Sequence, residues 1–119
     1  MAPTLTELQP NNVVHAIGLE LSHEPVAAAQ SVTGDPRTGA GKLTVFQGVE
    51  VGVWEMTPGV ATDTEVDEIF VVLSGSATIE FADATGALHV GPGDVVRLAA
   101  GAETVWTVTE TLRKVYLTG

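Results

Sequence analysis

From Lys42 onward, β-branched and aromatic residues come in short runs, each closed by residues suited to tight turns. A half-buried strand needs that spacing, and no long helix can be built from it. The runs predict strands at Leu43–Gln47, Val49–Thr57, Asp67–Leu73, Ser76–Phe81, Ala87–Val90, Val95–Leu98, Thr104–Thr109 and Leu112–Leu117. Between them stand Pro58-Gly59, Ser74-Gly75, Asp83 to Gly86, Gly91-Pro92-Gly93-Asp94, Ala100-Gly101 and Glu110-Thr111, which read as reversals. Strands this short and evenly spaced point to an all-β sandwich, barrel or jelly roll.

Alternation assigns the faces. Ala77, Ile79 and Phe81 share one side of their strand, and Ser76, Thr78 and Glu80 share the other. Between Glu68 and Leu73 both sides are apolar, with Phe70 and Val72 opposed to Ile69, Val71 and Leu73. Both must therefore be covered, one by the barrel interior and the other by an N-terminal arm or a second protomer. On this basis a homodimer is expected.

Upstream, Pro3, Pro10, Pro25 and Pro36 leave no room for a long helix. Residues 1–41 are read as an irregular arm and 42–119 as the barrel. Val13 to Ala29 is compatible with one helix or with a short strand and a helical turn.

A chain of 119 residues supports one core and one site. Fifteen acidic against five basic side chains give a formal charge of −10, which repels phosphate backbones and anionic membranes. Nucleic acid and membrane are therefore not expected partners; a small-molecule ligand is. The absence of cysteine removes thiolate chemistry, disulfides and cysteine metal sites. Met1 to Asn12 has neither a basic nor an apolar leader pattern, so a cytoplasmic protein is expected.

Five short patterns occur in order: Trp54-Glu55-Met56-Thr57-Pro58-Gly59, then Glu68 with Gly75 seven residues on, Gly93-Asp94, Gly101 to Trp106, and Arg113-Lys114-Val115-Tyr116. Together they resemble the cupin double motif, and most closely that of small single-domain cupins similar to the cupin domain of ureidoglycine aminohydrolase. The resemblance implies a single cupin (RmlC-like jelly-roll) β-barrel. It also implies four metal ligands, three histidines and a glutamate. Counted back from Glu68 and on from Gly101, the histidine positions hold Thr62, Thr64 and Thr104; counted forward from Gly59, the first two fall on Glu65 and Asp67. The backward count is preferred, because Glu65 and Asp67 leave no room to reach Glu68 in register. Under either count no histidine is present. One carboxylate with three hydroxyls is a poor set for Zn, Mn or Fe, so no metal and no other cofactor is expected. His15 and His23 lie in the arm, and His89 alternates with Leu88 and Val90, which turns it to solvent.

A period of two from Thr62 puts Thr62, Thr64, Val66 and Glu68 on one face, toward the pocket, and Asp63, Glu65 and Asp67 on a solvated acidic edge. Thr104, Trp106 and Val108 share another face, aimed inward by the cupin register. Trp54 and Met56 share a face that completes a candidate wall; the opposite face of that strand, with Val51, Val53 and Glu55, is the alternative. A carboxylate inside an apolar barrel takes up a proton or finds a cation, which suits it to acid–base work. Glu68 is the candidate catalytic residue, paired with Lys114 or Arg113; neighbours on one strand cannot both point inward. Candidate ligand-binding residues are Thr62, Thr64, Thr104, Trp106, Trp54, Met56 and Lys114. Three functions follow: a metal-independent isomerase or lyase using Glu68, a metal-dependent enzyme similar to ureidoglycine aminohydrolase, and a non-catalytic ligand-sensing or assembly module.

Overall fold

A computed structural model describes residues 7–119. Among these residues nine strands appear in chain order: β1 (Glu24–Pro25), β2 (Ser31–Thr33), β3 (Arg37–Phe46), β4 (Val49–Met56), β5 (Gly59–Thr64), β6 (Glu68–Phe81), β7 (Ala87–Val90), β8 (Val95–Leu98) and β9 (Glu103–Thr118). All pairings are antiparallel. β7 and β8 coincide with the runs expected from sequence. Two differences are instructive.

The expected reversals at Ser74-Gly75 and Glu110-Thr111 are bends, not turns. β6 and β9 run through them side by side, from Glu68 opposite Thr118 to Phe81 opposite Thr104, with register shifts around Ser74 and Ser76. Gly75 has φ +88°, and a Cβ there would lie 2.0 Å from the Thr111 carbonyl oxygen. Only glycine permits both that conformation and that approach. Beyond the bend each strand changes partners. The first half of β6 pairs with β8 and the second with β7, while β9 passes from β5 to β4. Two paired strands thus pass between two curled layers, and the result is a jelly-roll barrel.

The second difference is in the arm, which holds more order than expected. Among its described residues there is no long helix, only a 3-10 turn at Ala16–Gly18. Then β1 pairs with β3 and β2 pairs with β5, and β3 starts at Arg37 rather than Leu43. β5 itself is absent from the expected strands, because its residues are small, hydroxylic and acidic rather than apolar.

The core lies between the layers. Phe70, Val72, Ala77, Ile79, Val96, Leu98, Trp106, Val108 and Leu112 are buried in one cluster, in agreement with the alternation of β6 and of the first half of β9. Outside, Ile69 and Val95 remain 44% and 68% exposed. None of the described helical segments is long and apolar enough to cross a membrane.

Candidate functional site

Alternation along the second half of β9 turns Leu112, Lys114 and Tyr116 inward and Arg113 outward. Lys114 stands opposite Trp54 of β4 and Val72 of β6, both of which face the barrel interior. Its side chain is 6% exposed, and Nζ donates to Oε2 of Glu68 at 2.6 Å. The same nitrogen lies 4.5, 4.2 and 5.0 Å from the ring centres of Trp54, Phe70 and Trp106. All three are within cation–π range. Burial still pushes the ammonium below the usual lysine range, against the opposing pull of Glu68.

Two residues along, Tyr116 crosses the face of Gly52, where a Cβ would sit 2.4 Å from the phenol oxygen. Its hydroxyl donates to Glu50 at 2.7 Å. Burial and that carboxylate together push the phenol well above its ordinary range.

These groups wall a cavity of about 770 Å³, closed on one side by Val26, Ala27 and Gln30 of the arm. Of the residues expected to line it, Glu68, Trp54, Met56, Trp106, Lys114 and Thr62 do so. Thr104 is buried behind the wall, its hydroxyl donating to Oε2 of Glu65 at 2.6 Å. Thr64 is exposed and does not reach the cavity.

Glu65 and Asp63 correct the sequence reading. They were expected on a solvated edge, yet both line the cavity; Glu65 is 7% exposed, while Asp63 lines it and remains solvent-exposed. The reason is phase. On β5, Ala61 faces Trp106 and Asp63 faces Thr104, so Ala61 and Asp63 point inward with those residues while Thr62 and Thr64 alternate away. Thr62 borders the cavity beside Gln30, whose carbonyl oxygen accepts from its amide at 2.9 Å. β5 ends at Thr64, and the chain then turns through Glu65, whose amide donates to the Ala102 carbonyl and whose carbonyl accepts from Gly101. A period of two cannot be carried back from Glu68 across that loop. The only sequence signal for Glu65 was the forward count from Gly59.

Trp106 Nε1 donates to the same Glu65 oxygen at 2.8 Å, so one carboxylate orients both the hydroxyl and the indole. Burial, together with the charge of Glu65, raises the Asp63 carboxyl above its ordinary range. Asp67 is on the outside, where the Ala100 amide and Arg97 hold its carboxyl low.

His89 is exposed against Thr78, His15 is exposed, and His23 contacts Glu55 at 2.5 Å on the outer surface. Among the described residues no three His, Asp or Glu side chains converge as metal ligands. Thr104 and Glu65 bind each other, and Glu68 is held by Lys114. The donor set does not fit the metal that the cupin motif implies.

The family model for the EutQ-like cupin domain matches residues 43–116. The chain belongs to that family. Among solved structures it is similar to a protein of unknown function of the DUF861 family from Pseudomonas syringae pv. tomato, at 24% identity and TM-score 0.73 over 84% of this chain and 44% of that one. It thus spans less than half the length of that relative. The EutQ protein of Clostridium difficile is similar at 16% identity and TM-score 0.67, over 89% of this chain and 84% of that one. A cupin superfamily protein from Desulfitobacterium hafniense is similar at 15% identity and TM-score 0.62, over 98% and 97%. At these identities the likenesses establish the cupin fold. No curated protein matches the chain.

Proposed function

We propose that this EutQ-like cupin binds a small polar organic molecule in its barrel without a metal, and that Glu68 and Lys114 handle a proton on it. One observation carries the reading: a buried carboxylate–ammonium pair, 2.6 Å apart, on the wall of a cavity that Trp54 and Trp106 also line. The chemistry it suits is isomerisation or elimination. Glu68 takes a proton from a C–H of the bound molecule, and the Lys114 ammonium holds the negative charge that develops beside it. Trp54 and Trp106 supply flat walls, and the Trp106 ring is fixed by its bond to Glu65.

The test is Glu68→Gln, which keeps shape but cannot accept the proton. If the pair is catalytic, turnover of a ligand found by soaking and mass spectrometry falls by roughly 10²–10⁴. If the pair is only structural, Lys114 is left unpaired and stability drops by several kcal/mol instead. A variant with unchanged stability and unchanged ligand affinity ends both roles.

A metal-dependent enzyme similar to ureidoglycine aminohydrolase is the competing reading, favoured by the five matched patterns and opposed by the donor set. Purification with one tightly held Mn, Fe or Zn per chain would establish it. We further propose a homodimer through the outer face carrying Ile69 and Val95, which one chain leaves uncovered. Light scattering at micromolar concentration should give twice the chain mass, and a monomer refutes it.

A further inference from the structure

The cavity wall is unbalanced in charge and in hydrogen bonding. Glu24, Glu50, Asp63, Glu65 and Glu68 line it, and among the described residues Lys114 is the sole cationic side chain there. Lys114 is already committed to Glu68 and the three rings.

The second imbalance is at Glu65. Both of its donors, Thr104 Oγ1 and Trp106 Nε1, land on Oε2, and among the described residues no donor reaches Oε1. The side chain is more than nine-tenths buried, yet no fully enclosed side-chain oxygen in the described structure lacks a partner. Oε1 therefore opens on the cavity. Glu68 has the same form, with Lys114 on Oε2 and no donor on Oε1. A largely buried carboxylate oxygen without a donor is costly, and a ligand that brings N–H groups relieves that cost. The Asp63 carboxyl is raised first by desolvation and then by the charge of Glu65. The faces of Trp54 and Trp106 also favour positive charge.

We propose that the ligand class of this cavity is an aliphatic primary or secondary ammonium compound, its N–H groups held by Glu65 Oε1 and Asp63. This rests on the cavity being a ligand pocket. Quaternary ammonium lacks the hydrogens that Oε1 requires. A bare metal ion would need three converging side-chain ligands, which the described residues do not provide.

The test is calorimetric titration of the purified full chain with 1,4-diaminobutane, 1,4-butanediol and succinate at equal ionic strength. Saturable binding is expected for the diamine alone. Glu65→Gln should weaken it about tenfold or more. Asp63→Asn, at a carboxylate that accepts from the Thr64 amide at 2.9 Å and from Gln30 Nε2 at 3.4 Å, should weaken it severalfold while remaining folded. Glu80→Gln, exposed and off the cavity, should leave it unchanged. Binding of the diol or of succinate without the diamine overturns the ligand class and leaves the pocket reading standing. Binding of none of the three overturns both. Diamine binding insensitive to Glu65→Gln and Asp63→Asn assigns it to the acidic surface and overturns the proposal.

Discussion

Arg113 and Lys114 are adjacent on β9, and each is a buried cation paired with a glutamate, yet they serve opposite sides of the wall. Outside, Arg113 donates from Nε to Glu55 at 3.0 Å and from one terminal nitrogen to the Ala16 and Leu19 carbonyls at 2.9 and 2.5 Å. Glu55 in turn meets His23. The guanidinium thus ties two points of the arm to the barrel, as a planar fork of donors can, and Glu55 ties a third at His23. Inside, Lys114 has one oxygen partner and three aromatic neighbours, and its partner Glu68 faces open space. A pair whose acceptors are all used fixes structure. A pair with an acceptor left over has something to offer a ligand.

The sharpest way to break this contrast is Lys114→Met, which leaves the largely buried Glu68 without its cation. We expect a loss of about 3–5 kcal/mol in denaturant unfolding, much of it restored when Glu68→Gln is added. Equal stability of the single variant and the parent would mean that the inner pair is not desolvated. Arg113→Met should cost less, about 1–3 kcal/mol, because the freed carbonyls of the arm can reach water. Its signature is different: protease cleavage within residues 7–30 should accelerate, whereas Lys114→Met should leave the arm docked. If both variants loosen the arm alike, the division between the two sides fails.

Trp106→Phe removes the indole donor to Glu65 while Thr104 keeps its own, so about 1–2 kcal/mol is expected. A melt unchanged by this substitution would show that the Glu65 bond does not position the ring. The smallest effect concerns pH. The Asp63 carboxyl is raised, so the folded state binds its proton more tightly than the unfolded state does. Its charge therefore opposes folding above the folded value, and that penalty disappears below the ordinary value of 3.8. Asp63→Asn should melt slightly higher than the parent at neutral pH and equally at pH below 3.8. A lower melt at neutral pH would reverse the sign. Together with the weakened ammonium binding expected above, a higher melt would show stability given up for a ligand.

Much of this molecule is set by sequence alone. Strand-length runs and turn residues are local properties, so the all-β class, β7, β8 and the common face of Thr104, Trp106 and Val108 are legible from them, whereas the inward direction of that face came from the cupin resemblance. The rule that Arg113 and Lys114 cannot point the same way is local as well. Which of the two points inward was decided by pairing, because the register of β9 against β4 and β6 sets its phase relative to the core. Ser74-Gly75 and Glu110-Thr111 have turn composition, but two strands already paired along their length bend together instead of reversing. Glu65 shows the limit most plainly. Alternation holds its phase only within a continuous strand, and the loop between β5 and β6 resets it. Only the tertiary structure could bring that carboxylate from an expected solvated edge to Thr104 and Trp106, because those partners are about forty residues away and are reached through the pairing of β5 with β9.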